Sequence, residues 1–219
     1  MQQWVQLVLD WSEVWALLIP IIIYKKQPVL YQPVVSYLWC ALFINLTIDF
    51  VWKFRMVIPT VYNSNNYLYN VHSIIRFSLF TLFFIQLNQP FLVWIKKIVP
   101  ILFLIFFVIN FGWYEQFFNY SVFSSRLLAV EAFFLLFYVL QYYLFKINEN
   151  VEVNIFTPDF WITTGLGIYM VINFFIFLLY NELSTRLQTF AISLWNVHNI
   201  SYIIFNLFIA KSLHESSKQ

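Results

Sequence analysis

The sequence predicts an all-α membrane protein: a seven-transmembrane helix bundle with the N-terminus outside and the C-terminus cytoplasmic. It forms a single domain over residues 1–219, with a short cytoplasmic tail at 214–219. Three observations carry this reading. The 219 residues are 62% hydrophobic and only 10% charged, where a soluble domain carries about 45–50% apolar and about 25% charged residues. The mean hydropathy is +0.74. The apolar residues also fall into runs of about 20, the length a helix needs to cross a hydrocarbon core of about 30 Å.

Charge and composition exclude other classes. Twelve basic and ten acidic residues leave a net charge of +2 with no basic cluster, so nucleic acid is not a partner. The chain is too apolar to be disordered. Cys40 is the only cysteine and cannot close an intrachain disulfide. The start, Met1-Gln2-Gln3-Trp4, lacks a positive segment, and Asp10 and Glu13 interrupt the first apolar run, so no cleavable signal peptide is expected. No polar stretch is long enough to fold alone.

The seven expected spans are Trp4–Tyr24, Val34–Trp52, Tyr67–Leu87, Phe91–Trp113, Arg126–Phe145, Phe160–Tyr180 and Phe190–Leu213. The first carries two carboxylates, and six spans with an additional amphipathic helix is the alternative. Lys25-Lys26-Gln27-Pro28 ends the first span, Asn63-Ser64-Asn65-Asn66 precedes the third, and Asn88-Gln89-Pro90 follows it. Asn148 and Asn150 mark the break before the sixth, and Pro158-Asp159 reads as its helix start. Pro100 lies inside the fourth and is expected to kink it. Gly165 and Gly167 on the sixth would allow close helix approach. No internal repeat suggests matched transporter halves.

Orientation follows from basic residues near the span ends. With the N-terminus outside, the inner side holds Lys25, Lys26, Lys96, Lys97, Lys146, Lys211 and Lys218, seven in all. The outer side holds four: Lys53, Arg55, Arg126 and Arg186. The integral membrane location this implies is the bacterial inner membrane, with membrane lipids as the first partners.

Ionisable residues inside spans are costly and turn toward the bundle interior. Asn45, Asp49 and Lys53 form one stripe on the second helix, and His72 and Arg76 share a face of the third. Glu131 lies on the fifth. Gly165, Tyr169 and Asn173 align on the sixth, and Trp195, His198, Tyr202 and Asn206 on the seventh. At a rise of about 1.5 Å per residue, His72, Glu131 and His198 reach similar depths in the outer leaflet, with Asp49, Asp10 and Glu13 at a similar level. Asp49, His72, Arg76, Glu131, Asn173 and His198 are therefore the candidate polar cluster, lining an outward-facing pocket. Arg76 needs an acid, and Glu131 or Asp49 would supply it. Structural glue joining helices is the plain alternative for each of these residues.

The chemistry this pattern offers is limited. His72, Glu131 and His198 are the candidate metal ligands, but they come singly from separate helices. No Gly-x-Ser-x-Gly elbow or dinucleotide fingerprint is present. The last span has Lys211 only at its end, so no retinal is expected, and no cofactor is predicted.

Two segments carry a family likeness. The run Pro158-Asp159-Phe160-Trp161-Ile162-Thr163-Thr164-Gly165-Leu166-Gly167-Ile168-Tyr169 continues to Asn173 and Phe177. It resembles the penultimate helix of Bacteroidota seven-transmembrane membrane proteins of the type associated with sensor histidine kinases. Leu194-Trp195-Asn196-Val197-His198-Asn199-Ile200, continuing to Asn206 and Ala210, is similar to their final helix. The likeness implies a signalling role. This chain stops about six residues after Leu213, so a kinase would be a separate partner. The expected function is a stand-alone membrane sensor or signalling module, with a signalling protein or a second copy as partner. The alternatives are an intramembrane metal-dependent hydrolase, a small-solute transporter or channel, and a structural assembly subunit.

Overall fold

The computed structural model describes residues 2–59, 64–119, 123–148 and 157–218, and every regular element among them is helical. The elements are α1 (Gln2–Asp10), α2 (Ser12–Ile23), α3 (Gln32–Lys53), α4 (Asn66–Gln86), α5 (Val93–Ile109), α6 (Ser125–Asn148), α7 (Pro158–Arg186) and α8 (Gln188–Ser216). A single 3-10 turn, Val29–Tyr31, leads into α3, and a π turn, Asn110–Tyr114, extends α5. Six of the helical segments are long and apolar enough to cross a membrane. The chain is an integral membrane protein.

The first expected span, Trp4–Tyr24, is not one straight helix. α1 and α2 meet at Trp11 with a bend of 64°. At about 1.5 Å per residue neither piece alone reaches across about 30 Å. Six spans are therefore present, or seven if the bent pair counts as one. The break frees carbonyls that a continuous helix would satisfy, and side chains replace the lost donors. The Trp15 indole N–H donates to the Val8 carbonyl at 2.8 Å, and Asn199 Nδ2 donates to that of Leu9 at 3.0 Å.

Packing closes a ring. α2 packs on α3, α3 on α4, α4 on α6, α6 on α7, α7 on α8, and α8 returns to α2. α5 lies outside this ring against α6, and its Ile101, Leu104 and Val108 are exposed to the surroundings. Such apolar exposure suits contact with lipid.

α7 is the tightest neighbour in the ring because it lacks side chains where its partners approach. A Cβ at Gly165 would collide with the Phe208 side chain on α8, and one at Gly167 would lie 3.0 Å from Val139 Cγ1 on α6. α7 starts at Pro158 as expected, with Asp159 in its first turn taking the Tyr142 hydroxyl at 2.9 Å. It reaches α8 through Leu187 alone. α8 stays helical through Ser216, beyond the expected tail boundary at 214, supported by Lys211 donating to Glu215 one turn later at 2.6 Å.

Along its axis the ring has two unlike halves. One is built from the N-terminal parts of α4, α6 and α8 and the C-terminal parts of α3 and α7, and it contains the Arg76–Glu131 and Glu13–His198 pairs. The other is packed with rings: Tyr37 against Phe80 at 5.0 Å, Tyr31 against Phe83 at 6.3 Å, and Phe84 stacked on Tyr138 at 5.2 Å. The stacked Tyr169–Phe205 pair, 5.1 Å apart, marks the boundary between them.

Candidate functional site

In the polar half, α4 and α6 place opposite charges face to face. Arg76 and Glu131 are both buried, Glu131 completely. Arg76 donates through Nε to Glu131 Oε1 at 2.5 Å and through its terminal nitrogen to Oε2 at 2.7 Å. This two-point geometry matches the planar guanidinium to the planar carboxylate. Ser73, one turn before Arg76 on α4, donates its hydroxyl to Oε2 at 2.6 Å. The remaining Arg76 nitrogen donates to the Tyr169 hydroxyl at 3.0 Å, which ties α7 into the pair. The network is neutral overall and its carboxylate is fully engaged.

A second network runs from α7 through α8 to α2. Asn173 Nδ2 donates to the Tyr169 carbonyl at 2.7 Å, so its Oδ1 is the atom facing His198 Nδ1. His198 Nδ1 must therefore carry a hydrogen and donate it. The opposite ring nitrogen, Nε2, lies 3.4 Å from Glu13 Oε1 on α2. The His198 ring is also packed among Trp195, Tyr169 and Phe177, with centroids 5.0, 5.8 and 5.5 Å away.

Between the two networks is a cavity of about 20 Å³, room for one or two water molecules. Every helix of the ring contributes to its wall: Glu13 from α2, Asn45 from α3, His72 and Arg76 from α4, Leu128 from α6, Tyr169 from α7 and His198 from α8. Among the described residues lining it, Glu13 Oε1, Asn45 Oδ1, His72 Nε2 and the Tyr202 hydroxyl are buried polar atoms without a protein hydrogen-bond partner. Asn45 is anchored through its other atom, Nδ2, which donates to the Glu13 carbonyl at 2.8 Å. His72 lies against Tyr37, 6.1 Å between ring centroids.

The structure thus brings His72, Arg76, Glu131, Asn173 and His198 together. Asp49 is the exception. It is half-buried one turn beyond Asn45, within electrostatic reach of Glu13, and does not line the cavity. Of the two acids expected for Arg76, Glu131 is the partner. Glu13, Asn45, Tyr169 and Ser73 join the site although the polar cluster read from the sequence omits them. Asn45 and Tyr169 were visible within helical stripes, whereas Ser73 gave no signal beyond its place one turn before Arg76.

The proposed metal trio does not assemble. Among the described residues no group of three or more His, Cys, Asp or Glu converges as ligands. Both Glu131 oxygens are already taken by Arg76 and Ser73, which removes the acid from the set His72, Glu131 and His198. The Ser201 hydroxyl donates to the His198 carbonyl at 2.7 Å. Comparison with family models, curated proteins and solved structures finds no match to this chain.

Proposed function

We propose that this protein is a membrane sensor or signalling module whose polar cluster is the responding element. The observation that carries this reading is the cavity lined by all six ring helices, with buried unmatched polar atoms on Glu13, Asn45, His72 and Tyr202 among its lining residues. A cluster serving only to join helices gains most when each polar atom is matched within the protein, because unmatched ones are costly in a dry interior. One guest there would touch six helices at once, which couples local binding to helix arrangement.

The packed aromatic half argues against a conduit, since Phe80, Phe205 and Tyr37 fill the axis beyond the cavity. The network chemistry argues against a hydrolase. Under this proposal the bent α1–α2 pair counts as the first of seven spans, the polar half faces outward, and the C-terminus is cytoplasmic in a bacterial inner membrane. The likeness of α7 and α8 to kinase-associated proteins of Bacteroidota supports a signalling protein as partner.

A sensor needs two arrangements, and spin labels can count them. Ile22 and Ile147 are exposed at the same end of the ring, on α2 and α6. Labels there, in a Cys40→Ala background within lipid nanodiscs, should give two distances whose ratio changes in His198→Asn. A single distance, unaltered by that change, would overturn the proposal. A tag before Met1 that labels from outside, with a reporter after Gln219 that does not, checks the orientation.

A further inference from the structure

The geometry points to the Glu13–His198 pair as a proton-binding site, with a proton from the outer aqueous side as the signal; this rests on the sensor reading above. The argument begins with hydrogen arithmetic. Asn173 Oδ1 is an acceptor, so the His198 Nδ1 hydrogen is committed to it. Glu13 Oε1 lies 3.4 Å from Nε2 and has no hydrogen-bond partner of its own, so a first proton on Nε2 sets an imidazolium against a carboxylate, neutral as a pair. A second proton, delivered by hydronium and leaving water behind, gives imidazolium beside carboxylic acid. The pair then carries one positive charge and its ionic attraction is lost.

The surroundings single out this pair. On α4, Arg76 is matched by Glu131 of α6, so neither is available. His72 presents a bare Nε2 to the same cavity and Tyr69 lies within reach of Glu13. From α3, Asp49 faces Glu13, and Tyr37 lies behind His72. Tyr169 of α7 and Tyr202 of α8 flank the His198 ring. Glu13 is the acid that lines the cavity without a guanidinium partner; its side chain retains 16% exposure, while the Oε1 that faces His198 is buried.

The pair is also placed to act. Glu13 is two residues past the break at Trp11, and α8 holds the other side of that joint through Asn199 to Leu9 and Asn196 to Gln6. Losing the Glu13–His198 attraction removes one polar tie between the packed helices α2 and α8 while the ties from α1 remain, which loosens α2 at the bend.

Infrared spectra of the full-length protein in nanodiscs, taken from about pH 8 to about pH 5, should show one carboxylic acid band growing in. It should vanish in Glu13→Gln and persist in Asp49→Asn. The Ile22–Ile147 label ratio should change at least about threefold over the same range in the parent protein and stay fixed in Glu13→Gln. Should Glu13→Gln fail to fold, ¹⁵N-histidine spectra of the parent decide, because the His198 signals must move with the carboxyl band. A band that survives Glu13→Gln, or His198 signals that ignore pH, would overturn the assignment. If pH leaves the label ratio unchanged while His198→Asn still shifts it, the proton falls and the sensor stands; if neither shifts it, both fall.

Discussion

The two halves of the helix ring are held by different forces. In the polar half, a handful of directional contacts join the helices: Arg76 to Glu131 across α4 and α6, Arg76 to Tyr169 on α7, and His198 to Glu13 on α2. In the aromatic half, many rings meet at 5–6 Å with no charge among them, as in Phe80–Phe205 and Phe84–Tyr138. Lipid tails are as apolar as these rings, so burial from water contributes little to that half, and its stability comes from dispersion between close-packed surfaces. The polar half should therefore be brittle and specific, and the aromatic half tolerant.

The sharpest way to break the contrast is to remove one charge. Glu131→Gln leaves the Arg76 guanidinium buried with half its partner gone, and such losses cost about 3–5 kcal/mol. Arg76→Gln combined with Glu131→Gln should recover part of that loss, because no uncompensated charge remains. Reversible unfolding in bicelles by added detergent measures both. If the double variant is no more stable than the single, the pair does not act as a unit.

The next effect tests close packing where the halves meet. Gly165→Ala forces a methyl into Phe208, and α7 and α8 must part or Phe208 must turn. Overpacking of this kind costs about 1–3 kcal/mol. Gly112→Ala is the matched control, since open space surrounds that position, and its change should stay within about 0.5 kcal/mol. Equal losses at the two glycines would show that backbone preference, not contact with α8, governs Gly165.

In the aromatic half, Phe84→Leu keeps an apolar side chain and loses the stacked contact with Tyr138 and the edge contact with Phe83. Aromatic pairs contribute about 0.5–1.5 kcal/mol beyond their area, and the loss should lie there. A cost matching that of Glu131→Gln would erase the distinction between the halves.

Much of this contrast was legible in the residues. Apolar runs of span length located α3 to α8, and Pro158-Asp159 located the start of α7. Shared depth grouped His72, Arg76, Glu131 and His198, because residues three or four apart keep one helix face and rise per residue converts position into depth. Asp49 misled because depth alone does not say which way a side chain turns: one turn from Asn45, it already lies at the edge of the site. The break at Trp11 was also hidden. Its carbonyls are satisfied by Trp15 and by Asn199, some 190 residues away, and no local pattern announces a donor at that distance. The carboxylates at Asp10 and Glu13 marked the segment as unusual without revealing that it bends.

The smallest effect concerns that joint. α1 is tied to α8 through Gln6 and Asn196, whose amides exchange two hydrogen bonds at 3.0 and 3.2 Å, while its Trp4, Val5 and Leu7 are exposed. Interhelical hydrogen bonds in membranes average about 0.6 kcal/mol. Asn196→Ala should cost about that much in global stability, far less than any change at the Arg76 network. Its local effect should be larger than its global one, because α1 has few other attachments and opens without disturbing the ring. Hydrogen exchange in nanodiscs should accordingly speed up across residues 4–10 while the N-terminal half of α6 keeps its protection. If protection fell in both segments together, α1 would belong to the same cooperative unit as the charged pair, and the joint at Trp11 could not move independently of the ring.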